Sequence, residues 1–436
     1  MNFNLAVRKH ISKYFYCMYF INHLEKEIDD RCKRENREKN KQAESTYIEL
    51  VQKASQASEI KLYSLLTSRI GELAFRGIEI KLENSSNESK NILGIYIPKF
   101  EGWKATNLSF LAGFSREFII VNESNITAIR TLLKKFRAKI NISEYNKWNK
   151  TTDRIWNIKL NQSIIHMDEN EIDEAQQLIS SRNIIDITKP YICFAARDQA
   201  YLSAQQPGDD VSYHSYRNSK LQDMKRGIEY CNEQKLQCVL MGQKYEEGNL
   251  LQGVEYIDYS RKHYNELLDW YFMKNCKFYF GDFGGVGQIP QMLGTPIAFA
   301  NVIPNPVSIP RMMWKEEDIV IFKKLWSESK GRYLTLIEMW DLTGANMDLV
   351  CTDFYEKQGL KVINNTETEI YELVKEMNER LDGTYSNERR AEELRERYLC
   401  LLRKWCKKNN YDYDRIYKVR IGTDFLERNQ YLFEEE

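Results

Sequence analysis

Net charge is the first thing this chain lacks: its 436 residues carry 63 Lys and Arg against 63 Asp and Glu, with only five His. Without a bulk basic field a protein does not gather nucleic acid in a sequence-independent way, so no nucleic-acid partner is expected. Long apolar runs are missing too, and no stretch approaches the ~20 residues of a membrane-spanning helix. The nine cysteines include no CxxC pair, which argues against a zinc ribbon and against a disulfide frame. Cys193, Cys238 and Cys276 lie inside apolar runs and read as reduced core thiols. HExxH, GxxxxGK[ST], GxSxG and the protein-kinase set are absent. No GxGxxG follows the first strand of either half, which disfavours a dinucleotide dehydrogenase. No internal repeat is visible.

What is present is enough apolar material, 42% of residues beside 29% charged, for a sizeable core in two domains. Residues 1–58 read as an N-terminal helical extension with a dense charge run over 25–42 and an aromatic patch over 14–20. That patch contains Lys13 beside it and no small-residue cleavage site, so secretion is not expected. It suits either packing on the protein's own body or peripheral contact with the inner face of a cell membrane, and the expected location is cytoplasmic.

Residues 59–185 are read as a first Rossmann-like domain, with strands over 60–66, 91–97 and 117–121, a basic helix over 127–139, and a helix from 168 to 179. After a linker at 180–190 the alternation sharpens. Strands are predicted over 191–196, 237–242, 254–259, 276–281 and 295–300, with helices over 221–234, 264–275 and 289–293 between them. Strands alternating with helices imply right-handed crossovers and a parallel sheet covered on both faces. Residues 186–385 therefore form a second Rossmann-like domain, and 386–436 a set of C-terminal helices and a tail. The fold class is α/β.

Ligands of open parallel sheets sit beyond the carboxyl ends of the strands, and there the second half places its polar residues. Arg197, Asp198 and Tyr201 follow the 191–196 strand; His214 and Arg217 stand in an aromatic loop; Gly242 closes the 237–242 strand. Asp282 and the glycines Gly284, Gly285 and Gly287 follow the 276–281 strand. A glycine turn leading into a helix aims backbone N–H groups at an anion, although it equally makes a plain tight turn. Arg197 suits a phosphate, or a structural ion pair with Asp198. Asp282 suits sugar hydroxyls or a helix cap. Glu72, at the head of the first domain's opening helix, is the candidate general base, and the same position is one where the helix dipole favours Glu. Asp198 is the second catalytic candidate. No metal site is expected.

These runs together resemble a known family. YICFAARDQAYLS (191–203), YHSYRNSKLQDMKRGIEY (213–230), VLMG (239–242), YIDYS (256–260), FYFGDFGGVGQIPQMLGTPIAFANVIP (278–304) and RIGTDFLERNQYLF (420–433) are similar to bacterial glycosyltransferases of surface-polysaccharide clusters. More distantly they resemble heptosyltransferases of lipopolysaccharide assembly, with TSRIGELAFR (67–76) matching loosely in the first half. The resemblance implies a GT-B architecture of two Rossmann-like domains facing a cleft. It also implies a nucleotide-sugar held by the second domain at Arg197, Tyr201, His214, Arg217, Gly242, Asp282, Gly284, Gly285 and Gly287. The glycan or lipid-linked acceptor would be held by the first domain. Transfer would be inverting and metal-independent, with no cofactor beyond the donor, and the terminal helices would pack back across the first domain. Heptosyltransferases carry a His after an Asp-Thr-Gly turn; here 282–288 has none, so donor identity does not carry over. Other readings are a pyruvyl transferase or epimerase-like enzyme of similar topology, and a non-catalytic module of the same fold that binds nucleotide or glycan.

Overall fold

The computed structural model describes the backbone of four strands and scattered positions within residues 1–150, and nearly all of 163–434 apart from 164, 206–209, 247, 249, 307–314, 345–350 and 416–417. The chain divides into two compact units, Met1–Lys150 and Thr151–Glu436. The N-terminal extension, the expected 127–139 helix and Glu72 lie outside the described residues.

In the first unit β1 (Glu59–Leu65), β2 (Ile92–Pro98), β3 (Ile119–Ile120) and β4 (Ile140–Ile142) form a parallel sheet in the order β3-β2-β1-β4. Glu59 is in register with Ile92, and Ile60 with Ile140. Three of these strands fall where alternating and β-branched residues place them. The fourth is only three residues long, and its periodicity is too short to show in the sequence.

The second unit is built on a six-stranded parallel sheet. Its strands are β5 (Tyr191–Ala195), β6 (Gln237–Leu240), β7 (Tyr279–Asp282), β8 (Ile297–Val302), β9 (Ile319–Phe322) and β13 (Arg420–Ile421), in the order β13-β9-β8-β7-β5-β6. β5, β7, β8 and β9 are buried along their whole length, as strands covered on both faces must be. The chain goes from β5 outward to β6 and then crosses back to β7 on the other side of β5. The topological switch point thus lies between β5 and β7.

A second, antiparallel sheet of β10 (Lys324–Ser327), β11 (Arg332–Tyr333) and β12 (Leu360–Ile363) adjoins it in the order β11-β10-β12. The helices start where the sequence supplies side-chain acceptors for orphan N–H groups. Asp168 and Glu171 form a capping box for Glu169–Ser181, Thr366 and Glu369 another for Glu367–Leu381, and Asn265 caps Glu266–Asn275.

One expectation is corrected. The 254–259 strand reduces to a single bridge between Val239 and Ile257, after which Tyr259–Lys262 is helical. The terminal helices make contacts within the second unit. Glu388–Lys408 buries Leu394, Tyr398, Leu402 and Trp405, with the Tyr398 ring 6.3 Å from Phe322 of β9 and 5.7 Å from Trp340. β13 then completes the edge of the same sheet beside β9.

Candidate functional site

At the carboxyl ends of β5, β7, β8 and β9 the chain assembles one polar cluster. Its hub is Asp282, the last residue of β7, 3% exposed. One of its oxygens accepts hydrogen bonds from the Arg197 backbone N–H at 2.8 Å and from the Ser219 hydroxyl; the other accepts from Asn301 Nδ2 at 2.9 Å. Burial pushes the carboxyl above its ordinary range, and these donors work against that rise. Asn301 has a left-handed backbone, φ 55°, and exchanges two 2.7 Å bonds with Asn365, whose amide also reaches the Phe322 carbonyl of β9 at 2.8 Å. Four strand ends are thereby tied to a single carboxylate.

Three cations stand on this frame. The Arg197 guanidinium, immediately beyond β5, donates from Nη1 to the His214 carbonyl at 3.2 Å and to Asn218 Oδ1. Arg217 donates to the Phe283 carbonyl at 3.2 Å, with its guanidinium carbon 5.9 Å from the Phe283 ring. Lys323, at the end of β9 and 1% exposed, donates to the Asn218 carbonyl at 2.7 Å and Asn364 Oδ1 at 2.6 Å. All these acceptors are neutral, and among the described residues no carboxylate lies within ion-pair distance of the three cations. The ion pair of Arg197 with Asp198, one reading of the sequence, does not form. Burial, with repulsion from Arg217, pulls Arg197 down to about 10. Burial likewise pulls Lys323 down to about 8, with Asp282 opposing and the two arginines adding to the fall.

The remaining residues singled out from the sequence have definite places. Asp198 accepts from the Ala200 N–H at 3.0 Å, at the start of the Ala200–Gln205 helix that carries half-buried Tyr201, and from the Glu246 N–H at 2.9 Å. Gly242, with φ 105°, leaves room for Tyr245, whose hydroxyl donates to the Met241 carbonyl at 2.6 Å. Gly284 lies over the Arg197 stem, where an added Cβ would sit 3.6 Å from Arg197 Cδ, and Gly285 is exposed. Gly287 answers to packing: a Cβ there would come within 2.6 Å of the Phe299 ring. Asp282 does not cap the helix Gln288–Leu293, which has no side-chain cap. The fold thus gathers Arg197, Arg217, Asp282 and Gly284 with the backbone of His214.

Lys323, Asn218, Ser219, Asn301 and Asn365 complete the cluster and were not picked out as site residues from the sequence. A faint signal existed for Lys323 and Asn301, polar residues closing the apolar runs IVIF and IAFA. Among the described residues, His, Cys, Asp and Glu nowhere gather in threes as a metal ion's ligands would. Nor is any described helix long and apolar enough to cross a membrane.

No family model and no curated protein matches this sequence. Among solved structures, the chain is similar to a glycosyl transferase of family 9 from Veillonella parvula at 12% identity, covering 61% of this chain and 86% of that one, TM-score 0.38. It is also similar to the dodecameric iron-containing heptosyltransferase TibC in complex with ADP-D-beta-D-heptose at 9% identity, covering 74% and 78%, TM-score 0.39. A third is the E. coli ADP-heptose lipopolysaccharide heptosyltransferase II at 8% identity, covering 60% and 90%, TM-score 0.35. Likeness at this level identifies no shared activity.

Proposed function

We propose that the chain is a glycosyltransferase of GT-B type that moves a sugar from a nucleotide-sugar donor to a glycan or lipid-linked acceptor. One observation carries it: at the carboxyl ends of a parallel sheet's strands, where such folds bind ligands, three cations cluster around one carboxylate and donate their hydrogen bonds to neutral oxygens. Three cations gathered around the single carboxylate of Asp282 leave positive charge in excess, and an anion arriving there gains from it. The sequence resemblance supplies the identity of that anion, the diphosphate of a nucleotide-sugar.

In this reading Arg197 and Arg217 bind the diphosphate and meet the negative charge that grows on it as the glycosidic bond breaks. Nε and Nη2 of Arg197 have no partner among the described residues and are available to it. Lys323 adds its positive field to theirs, and Asp282 fixes the backbone from which Arg197 springs. Asp198 is a positioning group for the loop rather than a proton carrier, since its oxygens accept backbone N–H groups. The general base is assigned to Glu72 of the first unit, the transfer is inverting, and no metal takes part.

The test is a thermal-shift screen of the purified protein against UDP, GDP, CDP, CMP, ADP and dTDP. At a hundredfold excess over Kd one nucleotide should stabilise the fold by ~2.7 kcal/mol, and Arg197→Ala should lose that shift, measured against the variant's own ligand-free melting temperature. An equal shift in Arg197→Ala would remove the cation cluster from the binding site.

A further inference from the structure

We infer that Tyr213 and His214 are the platform on which the planar base of the donor nucleotide stacks, an assignment that rests on the nucleotide-sugar site proposed above. Large apolar side chains are rarely left in water here: among the described residues Ile187 and Tyr213 are the exposed ones, Tyr213 at 40%. A single exposed ring is unremarkable in itself. This one is the outer end of a row of rings. Tyr213 lies 4.0 Å from His214 between centroids, His214 lies 6.5 Å from buried Tyr216, and Tyr216 lies 5.5 Å from buried Tyr355.

The row is held in place by its backbone. The short 3-10 turn Ser212–Arg217 is pinned by Thr352, whose hydroxyl donates to the Ser212 carbonyl at 2.9 Å while the Tyr216 N–H approaches it at 3.2 Å. A preorganised ring loses little entropy when a ligand stacks on it. The same turn is bound to the cation cluster, for Arg197 grips the His214 carbonyl at 3.2 Å and Arg217 is the turn's last residue. One element therefore presents the exposed ring of Tyr213, tilted 39° against the His214 ring behind it, near its start and a guanidinium at its end. That is the pair of chemistries a nucleoside diphosphate offers, an aromatic base at one end and a diphosphate at the other. Stacking tolerates any base, so this surface supplies affinity for the nucleoside and leaves the choice of base to other contacts.

Calorimetric titration of the full chain with inorganic pyrophosphate, ADP and UDP tests this. In the wild type the better nucleoside diphosphate should bind more tightly than pyrophosphate. Tyr213→Ala should weaken that nucleotide by about tenfold while leaving pyrophosphate affinity unchanged, and Tyr213→Phe should retain wild-type values, since stacking needs the ring and not the hydroxyl. Unchanged nucleotide affinity in Tyr213→Ala overturns the assignment. An equal loss for pyrophosphate also overturns it, because Tyr213 would then merely hold the turn that carries the cations. A wild type that binds neither pyrophosphate nor nucleotide would instead bring down the nucleotide-sugar reading, and the platform with it.

Discussion

Lys323 shows how burial sets chemistry at the scale of one residue. Its ammonium donates to two oxygens of neutral groups in a nearly water-free position, and burial brings its pKa from the ordinary 10.5 to about 8. The charged form is disfavoured in the fold, so between pH 8 and 10.5 the unfolded chain binds more protons than the native one. Lys323 therefore makes stability rise with pH across that window. Ligand affinity has the opposite sign, because an anion at the cluster prefers the ammonium. Binding of the nucleotide that stabilises the protein should weaken by about tenfold from pH 7 to pH 9, as Lys323 loses its proton. Titrations at the two pH values in Lys323→Met should show that slope removed. A slope surviving in the variant would assign the pH dependence to another group.

At the scale of the element, the glycines of β7 and its following turn are explained by close approach. Gly281 has φ 158° and lies against β5, where an added Cβ would overlap the Ala195 carbonyl oxygen, a backbone atom that cannot swing aside. Gly287 is similarly closed by the Phe299 ring of β8. β7 thus packs so tightly between its neighbours that Asp282, one residue beyond Gly281, is delivered among Arg197, Ser219 and Asn301. Gly281→Ala should destabilise the protein by at least ~2 kcal/mol in urea unfolding, the scale of overpacking a tight core. Loss of less than ~0.5 kcal/mol would mean that β5 and β7 separate easily and that the switch point is not rigidly built.

At the scale of the whole molecule, an electroneutral chain gathers three cations at the strand ends of its second unit. Lys+Arg and Asp+Glu cancel over 436 residues, yet the three cations of the cluster face neutral oxygens. In the proposed reaction the donor binds to residues of Thr151–Glu436, and Glu72, the proposed base, belongs to Met1–Lys150. These assignments predict separable phenotypes. Glu72→Gln should lower turnover by two orders of magnitude or more, about what general-base removal costs, while the nucleotide-induced thermal shift stays at its wild-type value. Unchanged turnover would take the base away from Glu72; a lost shift would show that the first unit also holds the nucleotide.

The sequence by itself determined the α/β class, the positions of β5, β6, β7 and β8 among the nine described strands of the second unit, and the helices beginning near Asp168 and Asn265. Each of these follows from local chemistry: apolar runs and capping side chains. The residues that couple the strand ends were decided by the tertiary structure alone. Asp282, Ser219, Asn301, Asn365 and Lys323 lie on separate segments of the chain, and no spacing rule links them. Whether Gly287 cradles an anion or admits Phe299 also depended on which strand lay beside it. Hydrogen bonds and van der Waals contacts act over a few ångströms of space, and only the order in which the strands pair brings those distances about.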